Sequence, residues 1–148
     1  MCIRDSAQKV RDVLDVGRTG RILLAERDPT VRLLTTEVLS TMGYQPEEAA
    51  NAAEALAKLR SAQGRYDTVL IDDDLEDRSG EELLAELRAL HVDLPTILTS
   101  LTRAEELRGR FARDGCTKVL AKPFSTGTLT RALDDLGVTC PRKAKVTD

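Results

Sequence analysis

A chain of 148 residues suits one compact domain with short tails and leaves no room for a second of ordinary size. Its 41% hydrophobic residues can build a core and its 32% charged residues can cover one, but 3% aromatics leave that core to Leu, Val, Ile and Ala. A net charge of -3 argues against nucleic acid or an anionic membrane as the main partner. Cys2, Cys116 and Cys140 are odd in number and far apart, so they form neither a disulfide framework nor a paired metal motif. His91 stands alone, and any His-based zinc site or Ser-His-Asp triad would depend on it entirely. No apolar run approaches the roughly 20 residues of a membrane span, and the N-terminus lacks a signal-peptide core. The expected setting is soluble and cytoplasmic.

Residues 1–20 read as a tail or linker, with Met1-Cys2-Ile3-Arg4-Asp5-Ser6 resembling appended, non-native sequence. Ile22-Leu23-Leu24-Ala25 is then a continuous apolar run, as a strand buried on both faces should be. Asp28-Pro29 opens a helix, with Asp as N-cap and Pro in the first turn, and Gly43 closes it. A weak strand over residues 44–49 precedes a helix carrying Ala53, Leu56, Ala57 and Leu59. Thr68-Val69-Leu70-Ile71 is the second strong strand and runs into Asp72-Asp73-Asp74. A third helix carries Leu83, Leu84, Leu87 and Leu90; residues 95–99 form a strand, and 104–113 a charged helix. The last strand is Lys118-Val119-Leu120-Ala121, the last helix spans 128–136, and 138–148 is a flexible basic tail.

Five βα units in about 115 residues call for an α/β fold, with a parallel sheet and helices on both faces. Proline removes a ladder donor and belongs on an edge, so Pro46 puts the second strand at one. That fits a doubly wound, flavodoxin-like order of 2-1-3-4-5, whose ligand crevice lies at the carboxyl ends of strands one and three. Glu26 and Asp72 fall there, Ser100 ends strand four, and Lys122-Pro123 ends strand five. All four ends open on one rim. Carboxylates, a hydroxyl and an ammonium around one crevice suit a hard cation and a phosphoryl group. Each residue alone has a plainer role in a turn or a cap; the combination is the signal.

With these residues in place, the stretch 21–137 resembles the receiver domains of two-component response regulators. The resemblance rests on Arg21 through Pro29, Tyr66-Asp67 through Asp72 with Ser79-Gly80 after it, Pro95 through Ser100, and Gly115 through Lys122-Pro123-Phe124. It implies that Asp72 accepts a phosphoryl group from a histidine kinase or phosphotransfer protein. It implies that Mg2+ is held by Asp72, the Asp74 backbone carbonyl and Glu26, that Lys122 and Ser100 contact the phosphoryl oxygens, and that no external substrate is turned over. Phosphorylation would then reshape the face of the fourth helix, fifth strand and fifth helix for a downstream protein, with a homodimer left open.

The sequence departs from the family's pattern where a second acid, the direct metal ligand, is usual: here it is Arg27. Asp28 could swing in to replace it, Arg27 could pair with Asp72 and stand in for the metal, or Arg27 could turn to solvent and leave a weak site. Impaired Mg2+ binding would make the chain a pseudo-receiver, an interaction module with little or no phosphorylation. The position three before Lys122, often aromatic in the family, is Val119, and Glu76 stands where proline is frequent. Asp72-Asp73-Asp74 also has the Asp-x-Asp spacing of haloacid dehalogenase-type phosphatases, though on the third strand rather than the first.

Overall fold

The computed structural model describes residues 20–61, 66–90 and 94–138. The tails before residue 20 and after 138, Cys2, Cys140 and His91 lie outside them. The described elements are β1 (Arg21–Ala25), α1 (Pro29–Thr41), β2 (Gln45–Ala49), α2 (Ala52–Ser61), β3 (Thr68–Asp72), α3 (Gly80–Leu90), β4 (Thr96–Ser100), α4 (Ala104–Arg110), β5 (Thr117–Ala121) and α5 (Thr126–Asp135).

Among the described residues, the strands form one all-parallel sheet in the order β2-β1-β3-β4-β5. Pro46 sits on edge strand β2 opposite Ile22, so its missing N–H breaks no interior ladder. Alternation along each strand divides the core between two faces. Leu23, Ala25 and Ile71 point to the side covered by Leu56 of α2, Leu83 of α3 and Leu107 of α4. Ile22, Leu24 and Leu70 point to the other side, under Leu39 of α1 and Leu129 and Leu133 of α5. Burial on both faces is why the central strands read as unbroken apolar runs.

Helix ends follow local chemistry. Asp28 accepts hydrogen bonds from Thr30 N–H (2.9 Å) and Val31 N–H (3.3 Å), with Pro29 opening α1. Gly43, at φ 100, ends α1 in the left-handed region that glycine adopts without strain. There Gly43 N–H donates to Ser40 and Tyr44 N–H to Leu39, the paired bonds of a Schellman cap. Gly137 and Val138 repeat the motif after α5, and Val138 is buried, so the packed unit extends through it. Two helix boundaries differ from expectation. α5 starts at Thr126 rather than 128 because Ser125 caps it, accepting from Thr128 N–H at 3.0 Å. α4 ends at Arg110 rather than 113 because the Asp114 side chain organises a competing turn, accepting from Cys116 N–H and Thr117 Oγ1, each at 2.8 Å.

One cap comes from far away in sequence. Asp77, in the β3–α3 loop, accepts from Ala52 N–H and Ala53 N–H at 2.9 Å each and ties the loop after Asp72 to the start of α2. Asp77→Ala is expected to cost about 1 kcal/mol, the usual worth of a helix cap, in a urea melt. An unchanged midpoint would show that water replaces the cap.

Candidate functional site

Parallel strands deliver their carboxyl ends to one rim, and three of the sequence-predicted residues meet there. Glu26 follows β1 and is 3% exposed; Asp72 closes β3 and is 6% exposed. Lys122 follows β5, before a cis peptide bond to Pro123. Its Nζ donates to Glu26 Oε1 at 3.0 Å and to Asp72 Oδ1 at 3.1 Å. The second Glu26 oxygen accepts from Asp28 N–H at 3.1 Å, which fixes that carboxylate in the turn out of β1.

Electrostatics at the rim are finely opposed. Burial and the nearby Glu26 charge push the Asp72 carboxyl above the usual aspartate range, and Lys122 and the Asp74 amide offset this only in part. Burial lowers the Lys122 ammonium, but Glu26 and Asp72 outweigh it, and the net shift is upward. Lys122 is thus held charged, and Asp72 is a carboxylate kept ionised at some cost. A raised folded pKa means that the native state holds a proton where the unfolded chain has released it, so stability falls as pH rises through that interval. Asp72→Asn is therefore expected to stabilise the fold near neutral pH by about 1 kcal/mol, the scale of single stabilising changes at functional sites. The gain should shrink as pH falls toward the ordinary aspartate range, about 4. Thermal melts at both pH values check this, and a destabilised Asn variant at neutral pH would contradict it.

The other candidates turn their side chains to different partners. Ser100, 2% exposed at the end of β4, turns its Oγ to the start of α4 and accepts from Arg103 N–H at 2.9 Å. Asp74 points its side chain outward, 76% exposed. Arg27 does not pair with Asp72; its Nη1 lies 3.7 Å from Asp74 Oδ1, with half of the side chain in solvent. Asp28 is committed to capping α1.

A family model described as the response regulator receiver domain matches residues 22–134. The chain belongs to the receiver domain family.

The sensor kinase CckA of Brucella abortus is 30% identical over 129 residues, covering 87% of this chain but only 14% of the kinase. A two-component response regulator of Arabidopsis thaliana is 29% identical over 119 residues, covering 80% of this chain and 84% of that protein. In structure, the response regulator TrrA of Thermotoga maritima, solved in complex with Mg(2+)-BeF, is 31% identical with a TM-score of 0.68; the match covers 78% of this chain and 97% of that one. The receiver thus spans a small part of the kinase and most of the plant regulator. It is a module of two-component signalling, and the expected order 2-1-3-4-5 is the observed one. Among the described residues no helix is long and apolar enough to cross a membrane. The phosphatase alternative fails on geometry: Asp74 faces solvent, and Asp134-Asp135 lie in α5 rather than at a strand end.

The donor set does not fit a tightly held Mg2+. Glu26 and Asp72 share Lys122, and the position of the expected second acid carries a guanidinium paired with Asp74. Among the described residues, no three acidic, histidine or cysteine side chains gather as a cation site. Magnesium demands near-ideal octahedral oxygen ligation, and this receiver offers one carboxylate fewer and one fixed positive charge more.

Sequence reasoning missed Arg103. Its Nη1 bonds both oxygens of Asp73 at 3.1 Å, and its Nη2 bonds Glu81 and Glu106 at 3.1 Å each. It also missed Arg88, which stitches the opposite rim through the Leu94 carbonyl (2.8 Å) and Thr117 Oγ1 (2.7 Å). Arg103 precedes α4 and Arg88 lies in α3, and the fold alone selects their partners.

Proposed function

We propose that Asp72 accepts a phosphoryl group from the phosphohistidine of a histidine kinase or phosphotransfer protein. The observation that carries the reading is Lys122, whose ammonium joins the two buried carboxylates at the ends of β1 and β3. In the transfer, an Asp72 oxygen attacks phosphorus in line; the O–P bond of an acyl phosphate forms as the donor's P–N bond breaks. The imidazole leaves with the electron pair and takes up a proton. Lys122 then neutralises phosphoryl oxygens in place of the Asp72 carboxylate, and Ser100 rotates to donate its hydroxyl. The product is a signalling state rather than a released compound, so no external substrate is turned over. Such a donor places the domain in the cytoplasm, and the likeness to a sensor kinase supports a kinase as the partner.

An apolar groove of about 400 Å³ adjoins the site, lined by Val31, Leu34 and Val38 of α1 with Leu101, Pro123 and Phe124, and it reaches Lys122. Leu34 and Leu101 are exposed. A phosphodonor must bring its histidine to Asp72, and this groove gives its helix an apolar seat on the way. The downstream protein takes the separate face of α4, β5 and α5.

Arg27 at Asp74 favours a second reading, in which the site stays unphosphorylated and the domain acts as a fixed interaction module. Incubation with phosphoramidate or acetyl phosphate, with and without Mg2+, followed by intact mass, separates the two. One acid-labile phosphoryl adduct on the wild type, absent from Asp72→Asn, is the expected result. An unmodified wild type beside a modified Arg27→Asp would overturn it in favour of the second reading.

A further inference from the structure

The first turn of α4 is tied once to the end of β4 and once to the residue that follows Asp72. The main-chain tie is Ser100: its Oγ accepts from Arg103 N–H at 2.9 Å, and its carbonyl accepts from Lys122 N–H at 2.8 Å. The side-chain tie is the Arg103 guanidinium, whose Nη1 lies 3.1 Å from each oxygen of Asp73 while Nη2 reaches Glu81 of α3 and Glu106 of α4. Arg110 braces Glu81 and Glu106 from the far end of the helix. Asp73 is itself pinned, its N–H donating to Thr99 at 2.7 Å and its carbonyl accepting from Gly80 at 2.8 Å. α4 has seven residues, of which Ala104 and Leu107 are buried, and Arg108 adds a 3.3 Å bond to the Val119 carbonyl of β5.

We propose that Arg103 is a positioning residue that converts the state of Asp72 into a pivot of α4. The inference rests on the reading of Asp72 as phosphoacceptor. In this reading Ser100 turns its hydroxyl from the Arg103 amide to the phosphoryl group by a change of side-chain rotamer. Phosphorylation therefore opens the main-chain tie. The guanidinium tie remains, since added negative charge beside Asp73 holds the cation more firmly. α4 then turns about the Arg103 side chain instead of detaching, and Glu106 and Arg110 on its outer side move with it. With Val119 three positions before Lys122, no aromatic ring is available there to carry the signal, and the proposed route runs through Ser100 and Arg103.

Hydrogen exchange of the full chain, read by mass spectrometry over residues 101–112 before and after phosphoramidate treatment, tests this in wild type, Ser100→Ala, Arg103→Ala and Arg103→Lys. Ser100→Ala without donor is expected to exchange several-fold faster in the first turn of α4, matching phosphorylated wild type. Arg103→Ala, still modified at Asp72, is expected to exchange fast in both states and so lose the phosphorylation-dependent difference. Arg103→Lys keeps the charge without the fork and should restore part of that difference. A modified wild type with unchanged α4 exchange, or a full phosphorylation-dependent difference in Arg103→Ala, overturns the coupling alone. A wild type that takes no phosphoryl group overturns the phosphoacceptor reading, and the coupling with it, and intact mass on the same samples identifies that outcome.

Discussion

Gly80→Ala is expected to destabilise the domain by about 3 kcal/mol, the upper end of what overpacking usually costs, and to displace Asp72. Gly80 opens α3 directly against the end of β3. A Cβ there would lie 2.6 Å from the Asp72 carbonyl oxygen, 2.9 Å from Asp73 Cα and 2.9 Å from Leu98 Cδ1. Two of these atoms are backbone, and Leu98 is fully buried, so no flexible side-chain end can yield. The helix must retreat, and Gly80 N–H then loses its 2.8 Å bond to the Asp73 carbonyl. A shift of this size lowers the melting temperature by about 10 °C in a domain of this length. Gly109 in α4 supplies the control, because a Cβ there meets nothing within 4 Å. Gly109→Ala should therefore be neutral or stabilising by up to about 1 kcal/mol from helix propensity. Urea melts of both variants decide the matter; a Gly80→Ala midpoint within error of the wild type would mean that the close approach is relieved at no cost.

The contrast between these glycines marks what the sequence can and cannot reveal. Asp28-Pro29, Gly43 and the apolar runs at 22–25 and 68–71 act within a few residues, so their consequences can be read directly. Pro46 reveals an edge because a missing donor is a property of the residue itself. Once the sheet is parallel and ordered 2-1-3-4-5, the meeting of Glu26, Asp72 and Lys122 follows from topology, although Lys122 lies far along the chain from Glu26. Gly80, Asp77 and Arg103 are different. Gly80 was legible only as part of a family-like pair with Ser79; its contact with the Asp72 carbonyl depends on how closely α3 packs on β3. Asp77 caps a helix 24 and 25 residues away in sequence. Arg103 is one of many arginines, and nothing local distinguishes a guanidinium that saturates three carboxylates from one in solvent. The end of α4 at Arg110 is hidden for a related reason, since the turn at Asp114 competes with helix through a side chain whose local bonds periodicity ignores.

Arg27→Asp is expected to tighten Mg2+ binding by at least about tenfold, or about 1.4 kcal/mol. Arg27 directly follows Glu26, which with Asp72 and Lys122 leaves one net negative charge for an incoming dication, and its guanidinium adds a positive charge beside Asp74. Replacing it with aspartate changes the local charge by two units and supplies the missing oxygen ligand. Near a protein surface, unit charges about 4 Å apart interact by about 4 kcal/mol, so a tenfold gain allows generously for solvent and for the long 3.7 Å approach of Arg27 to Asp74. Arg27→Ala separates the two contributions: removing repulsion alone should tighten binding several-fold, and the further gain in Arg27→Asp measures the ligand. Asp28→Ala should leave Mg2+ affinity unchanged while costing about 1 kcal/mol of stability, because the Asp28 carboxylate is engaged by Thr30 and Val31 N–H and caps α1. Calorimetric titration at constant ionic strength reads all four proteins. Wild type binding Mg2+ as tightly as Arg27→Asp would mean that the cation displaces Arg27 from Asp74 without penalty, and the substitution after β1 would then carry no consequence for phosphorylation.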